Sequence, residues 1–96
     1  MRLELTEIAE ADYCRIVEYS YSEFGEQIAN HYADSMDENF ARLIDHPQIG
    51  RRELRLRGDI RSISCRSHRI YYTIDENMIV VRRILHKSMD AGAWLG

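Results

Sequence analysis

Apolar and polar residues alternate through Arg2-Leu3-Glu4-Leu5, which predicts a short first strand. Thr6 follows as a helix N-cap, with Glu7 and Glu10 in the positive first turn. Ala9, Tyr13, Ile16, Val17, Ser20 and Phe24 then recur at helical steps, marking an amphipathic helix of about 18 residues that Gly25 ends. A second helix is predicted from Glu26 to Asp45, its apolar stripe formed by Ala29, Tyr32, Ala33, Met36, Phe40, Leu43 and Ile44 and its stop supplied by Pro47. Each helix has one apolar face to hide, so two helices joined across a single glycine fold back as an antiparallel hairpin.

After Gly50 the period of the pattern drops to that of a strand. Leu54 and Leu56 alternate with Glu53, Arg55 and Arg57, Gly58-Asp59 makes a turn, and Ile60 to Arg66 reads as the next strand. Ser67-His68 is expected to turn the chain again. Arg69 to Asp75 is a further strand, Glu76-Asn77 a tight turn, and Met78 to His86 the longest strand, apolar on both faces as an interior strand should be. The expected architecture is α+β in the order β-α-α-β-β-β-β, with an N-terminal helical hairpin packed on a small twisted, mostly antiparallel sheet that the first strand completes at an edge. With 96 residues the chain holds one domain, 1–96.

Charge sharpens this picture. Residues 1–50 carry 3 basic and 11 acidic side chains, whereas residues 51–87 carry 10 basic and 4 acidic. Either the molecule presents two faces of opposite sign, the basic one suited to a charged partner, or the halves neutralise each other within the fold. The overall charge of -3 argues against a protein whose work is to clamp nucleic-acid phosphates. No stretch is apolar enough for a membrane span, and the opening residues lack the apolar segment of a signal peptide, so a cytoplasmic location is expected. Cys14 and Cys65 lack paired spacing and are expected to be free thiols. The four histidines and two cysteines show no zinc-ligand spacing and no glycine-rich loop could cradle a phosphate, so no cofactor and no metal are implied.

The ordered motifs are similar to those of one family. They are Leu5-Thr6 with Ala9 and Asp12; Ile16, Tyr19 and Phe24-Gly25; His46-Pro47 with Ile49-Gly50-Arg51; Leu54-Arg55; Ile60-Arg61-Ser62; Ser67-His68-Arg69-Ile70-Tyr71-Tyr72; and Val81-Arg82-Arg83-Ile84-Leu85-His86 with Met89-Asp90. The set resembles the ParE branch of the RelE/ParE toxin superfamily, the toxic halves of bacterial toxin–antitoxin pairs. That resemblance implies a growth inhibitor that binds and poisons DNA gyrase and is neutralised in a hetero-oligomeric complex by a ParD-like antitoxin. It implies action by binding, with no catalytic residues, no sequence-specific nucleic-acid contact and no membrane.

The RelE branch, similar in fold, cuts messenger RNA on the ribosome, which requires a base, an acid and groups that stabilise phosphate charge. Glu53, Arg61, Arg69, Arg83 and His86 are the residues that would fill those roles here. Residues 87–96 contain no tyrosine and one lysine, and the chain is acidic, both against that alternative. A non-toxic, antitoxin-binding relic is a third reading.

The expected partner-contacting residues are Arg51, Arg52, Arg55, Arg61, Arg69, Arg83, His86, Trp94 and Leu95. Arg61, Arg69 and Arg83 are expected to face one neighbourhood, where they either hold a partner's carboxylate or pair with the acidic helices. His86 either contacts a target or fixes the C-terminal turn, and Asp90 caps a short terminal helix or meets Arg82 or Arg83. Trp94 and Leu95 either form a target-binding tip, where the resemblance places target contacts, or pack back on the sheet. An antitoxin tail is expected to lie in a groove between the first helix and the sheet edge, acidic where it crosses Arg51, Arg52, Arg55 and Arg57.

Overall fold

The computed structural model describes residues 1–95. Its elements are β1 (Arg2–Leu5), α1 (Glu7–Phe24), α2 (Glu26–Asp45), β2 (Arg51–Arg52), β3 (Arg61–Cys65), β4 (His68–Asp75), β5 (Met78–His86) and α3 (Ala91–Leu95). They form the expected α+β arrangement, with sheet order β1-β5-β4-β3-β2. β1 runs parallel to β5, and every other neighbouring pair is antiparallel.

Thr6 caps α1 by accepting the Ala9 N–H at 3.1 Å, and its own hydroxyl donates to the Arg82 carbonyl, so the helix start is tied to β5. Gly25 makes the reversal between the helices at φ +89, in the region that glycine enters without steric cost. The hairpin is clasped midway by Tyr13, whose ring stacks on Phe40 and whose hydroxyl donates to Asp37 at 3.1 Å. Its inner face and the sheet bury Ala9, Ile16, Met36, Leu43, Ile63, Ile70, Tyr72, Ile79, Val81 and Ile84 in one core. A smaller cluster, Ile60, Tyr71 and Leu85, lies on the opposite sheet face, where Leu56, Met89, Ala91 and Leu95 pack against it. β5 thus has apolar partners on both faces, as its composition requires.

Three expectations are corrected. The strand predicted through Leu54 and Leu56 does not form. Pairing with β3 lasts for two rungs, Arg51 with Ser62 and Arg52 with Arg61, and the chain then turns, with the Leu56 N–H donating to Glu53. Leu54 is left 82% exposed while Leu56 reaches the smaller cluster, so the alternation reflects a loop with one anchored leucine. The turn after β3 falls on Arg66-Ser67, one residue earlier than expected, because Cys65 pairs with His68 and Arg66 takes φ 54. On α1, Phe24, the last residue of the helix at the hairpin tip, is exposed although it belongs to the apolar stripe, whereas the polar Asp12 is buried.

Candidate functional site

β1 pairs with β5 only from Met78 to Val81, which leaves the next part of that edge without a strand. α1 fills the place. Asp12 accepts the Ile84 N–H at 3.0 Å, just as a neighbouring strand's carbonyl would, and both of its oxygens take the Arg83 guanidinium in a two-pronged contact at 2.8 and 3.0 Å. Arg15 adds a fourth bond from the solvent side at 2.8 Å. Asp12 is 4% exposed, and a carboxylate is found this deep only when its oxygens are satisfied. The hydrogen bonds that Arg83 donates to Asp12 raise the Arg83 pKa, outweighing the opposing effect of burial.

Arg83 also reaches the C-terminus. Its guanidinium donates to the Trp94 carbonyl at 3.3 Å and lies 5.5 Å from the centre of the indole ring. Asp90 starts α3, accepting the Gly92 N–H on its side chain and the Ala93 N–H on its carbonyl. Leu95 packs against the smaller cluster, while Trp94 stays 52% exposed. The two residues expected to behave alike are therefore split, one packed and one presented. Gly96, which follows them, lies outside the described residues.

Arg61, Arg69 and Arg83 do not share one neighbourhood, which corrects that expectation. Arg61 pairs with Tyr72, and its guanidinium donates to the Gln48 and Gly50 carbonyls at 3.2 and 2.9 Å. Arg69 sits eight residues on, across an antiparallel hairpin, and pairs with Leu85 on the sheet face turned away from the helical hairpin, where it donates to the Ser62 hydroxyl and carbonyl. Arg83 stands at the β5 edge beside an irregularity in the β4–β5 register between Tyr71 and Tyr72. Of the two readings of Arg83, pairing with the acidic helices is the one observed. Among the described residues its bond to Asp12 is the one ion pair joining the acidic first half to the basic second half. The halves otherwise keep their charges apart.

Ser62 accepts from Arg69 and donates to Glu53, which also takes Arg51 at 2.8 Å, so a polar chain Arg51–Glu53–Ser62–Arg69 crosses the face turned away from the helical hairpin. Burial would raise the Glu53 pKa, but the hydrogen bonds from Ser62 and Arg51 and the charge of Arg69 bring it below the usual value. Arg51 and Arg52 keep exposed side chains on the outer strand of the sheet, and Arg55 and Arg57 are exposed on the loop that follows.

His86 accepts the Ser88 N–H at 3.1 Å on Nδ1, fixing the turn that leads to α3. His68 faces it, ring centres 5.2 Å apart, and is hydrogen-bonded to the Tyr32 hydroxyl, which also takes the Ser67 N–H. Burial first, and the His86 charge second, push the His68 pKa below its ordinary value. The folded state therefore resists protonation of His68, so its share of the stability is complete above about pH 6.5 and is lost as pH falls toward the depressed folded value. We expect the melting temperature to drop between pH 7 and pH 5, and His68→Gln to flatten that slope; an unchanged slope would refute the assignment. Cys65 is buried and Cys14 exposed, both free. Among the described residues no group of three or more His, Cys, Asp or Glu side chains could hold a metal ion, and no helix is long and apolar enough to cross a membrane.

Asp12 and the Glu53–Ser62 pair were not singled out as interacting groups from the sequence. The signal for Asp12 was present, since Ala9, Asp12, Ile16 and Ser20 follow one another at helical steps and an acid on a buried stripe demands a partner.

The fold is thus a helical hairpin on one face of a five-stranded mixed sheet, with a short C-terminal helix on the other. A solved structure described as the chromosomal ParDE TA system from P. aeruginosa shares it at a TM-score of 0.78 and 20% identity, covering 90% of this chain and 95% of that one. Toxin ParE1 of Caulobacter vibrioides is 32% identical over 92 residues, 96% of this chain and 95% of the relative. Toxin ParE1 of Mycobacterium tuberculosis is 31% identical over 90 residues, 93% of this chain and 92% of the relative. The family described as the ParE toxin of type II toxin-antitoxin systems, parDE, matches residues 3–91, and the chain belongs to that family.

Proposed function

We propose that this ParE-family toxin inhibits growth in the cytoplasm by binding and poisoning DNA gyrase, and that a ParD-like antitoxin neutralises it. The observation that carries the reading is the family match across residues 3–91, joined to a C-terminal helix that presents a half-exposed tryptophan. Action by binding rather than catalysis is favoured by where the candidate nuclease groups lie. Glu53 is engaged by Arg51 and Ser62, Arg61 by backbone carbonyls, Arg69 by Ser62, Arg83 by Asp12, and His86 by Ser88. A general base and phosphate-stabilising groups must converge on one reacting centre, and these are spread over both faces and an edge of the sheet.

The test is induction of the chain without antitoxin, with DNA-damage response and messenger RNA integrity read together. Arrest with damage and intact messages, followed by capture of gyrase on the toxin, is the expected result. Cleaved messages would move the function to the RelE type, and growth without arrest would leave an antitoxin-binding relic.

The antitoxin tail is proposed to be acidic where it meets Arg51, Arg52, Arg55 and Arg57. The seam between α1 and the β5 edge is filled by Thr6 and Asp12, so the sheet edge nearest these arginines, β2, is the better place for an added strand. Replacing Arg51 and Arg52 together by glutamate should weaken antitoxin binding at least tenfold at low salt and less at high salt, as exposed charges are screened. Calorimetric titration at two ionic strengths checks this, and equal affinities for variant and parent would refute it. Antitoxin should also raise the toxin's melting temperature, because a ligand of the folded state stabilises it by mass action.

A further inference from the structure

We propose that Asp12 and Arg83 are positioning residues for the target contact: together they form a latch that holds α3 in place and presents Trp94 to a protein surface. The inference rests on the reading above that the C-terminal segment meets the target, and it adds what makes that segment competent to do so.

A five-residue helix has almost no stability of its own, because nucleation costs more than so few hydrogen bonds return. Chain ends without anchors fray. Two anchors hold this one. Leu95 and Ala91 pack on the cluster of Tyr71 and Leu85, which fixes one side of α3. The other side carries Trp94, and there Arg83 grips the carbonyl while its guanidinium lies over the indole.

Arg83 can do this only because Asp12 holds it. An arginine side chain has four flexible bonds, and a lone contact to a backbone carbonyl would not immobilise it. The two-pronged pairing with Asp12, itself fixed by the Ile84 N–H, leaves the guanidinium in one orientation with one nitrogen directed to Trp94. The position of the exposed indole is thus dictated by a buried carboxylate on α1, 82 residues away in sequence. A rigid aromatic presented with little conformational freedom is the kind of anchor that protein interfaces use, since less entropy is lost on binding.

Trp94 is the single tryptophan of the chain, so intrinsic fluorescence reports on it alone. The experiment measures acrylamide quenching of the full-length toxin, of Arg83→Lys and of Asp12→Asn, with circular dichroism and antitoxin binding recorded on the same samples. Arg83→Lys keeps the charge but loses the planar fork, and Asp12→Asn keeps an acceptor for Ile84 but loses the ion pair. Both are expected to bind antitoxin, Asp12→Asn from a less stable fold because the Arg83 charge then lacks its counter-ion, while the quenching constant rises at least twofold toward that of a free peptide of residues 91–96 and toxicity falls at least tenfold. Parental quenching in folded variants would overturn the latch. If both variants unfold, relaxation of the Trp94 backbone amide in the unaltered toxin decides, an order parameter near 0.8 supporting the latch and one below about 0.6 overturning it. Trp94→Ala separates the two ideas: normal toxicity in that variant would refute Trp94 as target contact whatever the quenching shows, whereas lost toxicity in a folded variant supports it.

Discussion

Replacing Asp12 by alanine is expected to lower the unfolding free energy by about 3–5 kcal/mol, the loss seen when one partner of a buried ion pair is removed. The size follows from what is left behind. The Arg83 side chain is 12% exposed, so its charge would remain largely out of water without a counter-ion, and the Ile84 N–H would lose its acceptor on a stretch of edge that β1 does not cover. A domain of this size has about 5–15 kcal/mol of stability in total, so the variant should sit near the limit of folding at 37 °C. Urea denaturation measures the loss. Removing the charge at both ends, Asp12→Ala with Arg83→Met, should cost less than Asp12→Ala alone, because no unpaired charge then stays buried. A double variant less stable than the single one would show that the guanidinium escapes to solvent once its partner is gone.

Gly50→Ala is expected to be the second most damaging change, at about 1–3 kcal/mol for overpacking, although it adds one methyl group. The added Cβ would stand 2.5 Å from the Tyr72 hydroxyl oxygen and 2.7 Å from a ring carbon. Tyr72 cannot move aside. It is fully buried in the core, its hydroxyl donates to the Pro47 carbonyl at 2.7 Å, and it accepts the Gly50 N–H at 2.9 Å. The same turn is held from the other side by Arg61 on the Gln48 and Gly50 carbonyls. Displacing Gly50 would disturb the start of β2 and with it Arg51 and Arg52, so the variant should lose antitoxin affinity along with stability. Thermal unfolding and titration of antitoxin on one preparation check both effects, and a melting temperature within about 1 °C of the parent would refute the packing argument.

Both residues belong to motifs that were visible in the sequence, Asp12 near its opening and Gly50 between Ile49 and Arg51, but their roles were not. Helical spacing located Ala9, Ile16 and Ser20 on an inward face, and Asp12 shares that spacing; which basic group meets it depends on how far β1 extends along β5. The expectation that Arg61, Arg69 and Arg83 converge failed because alternation in a strand sets the face of each residue only once the register is known. The strand expected at Leu54 and Leu56 failed for a related reason: pairing with β3 ends after two rungs, and no propensity of the residues themselves could extend it.

What the chain determines locally, it determines almost to the residue. α1 and α2 begin and end where Thr6, Gly25 and Pro47 place them, because caps and breakers act through the backbone within a turn of themselves. The order of elements and the interior place of the doubly apolar β5 follow from periodicity, and the ordered motifs were enough to point to the ParE family. The tertiary structure decided the rest: the parallel pairing of β1 with β5, the substitution of Asp12 for a missing strand, the separation of the arginines over two faces and an edge, and the division of labour between a packed Leu95 and a presented Trp94. Those outcomes depend on contacts between residues as far apart as Asp12 and Arg83, and pairing at that distance is set by the geometry of closing the whole sheet against the hairpin.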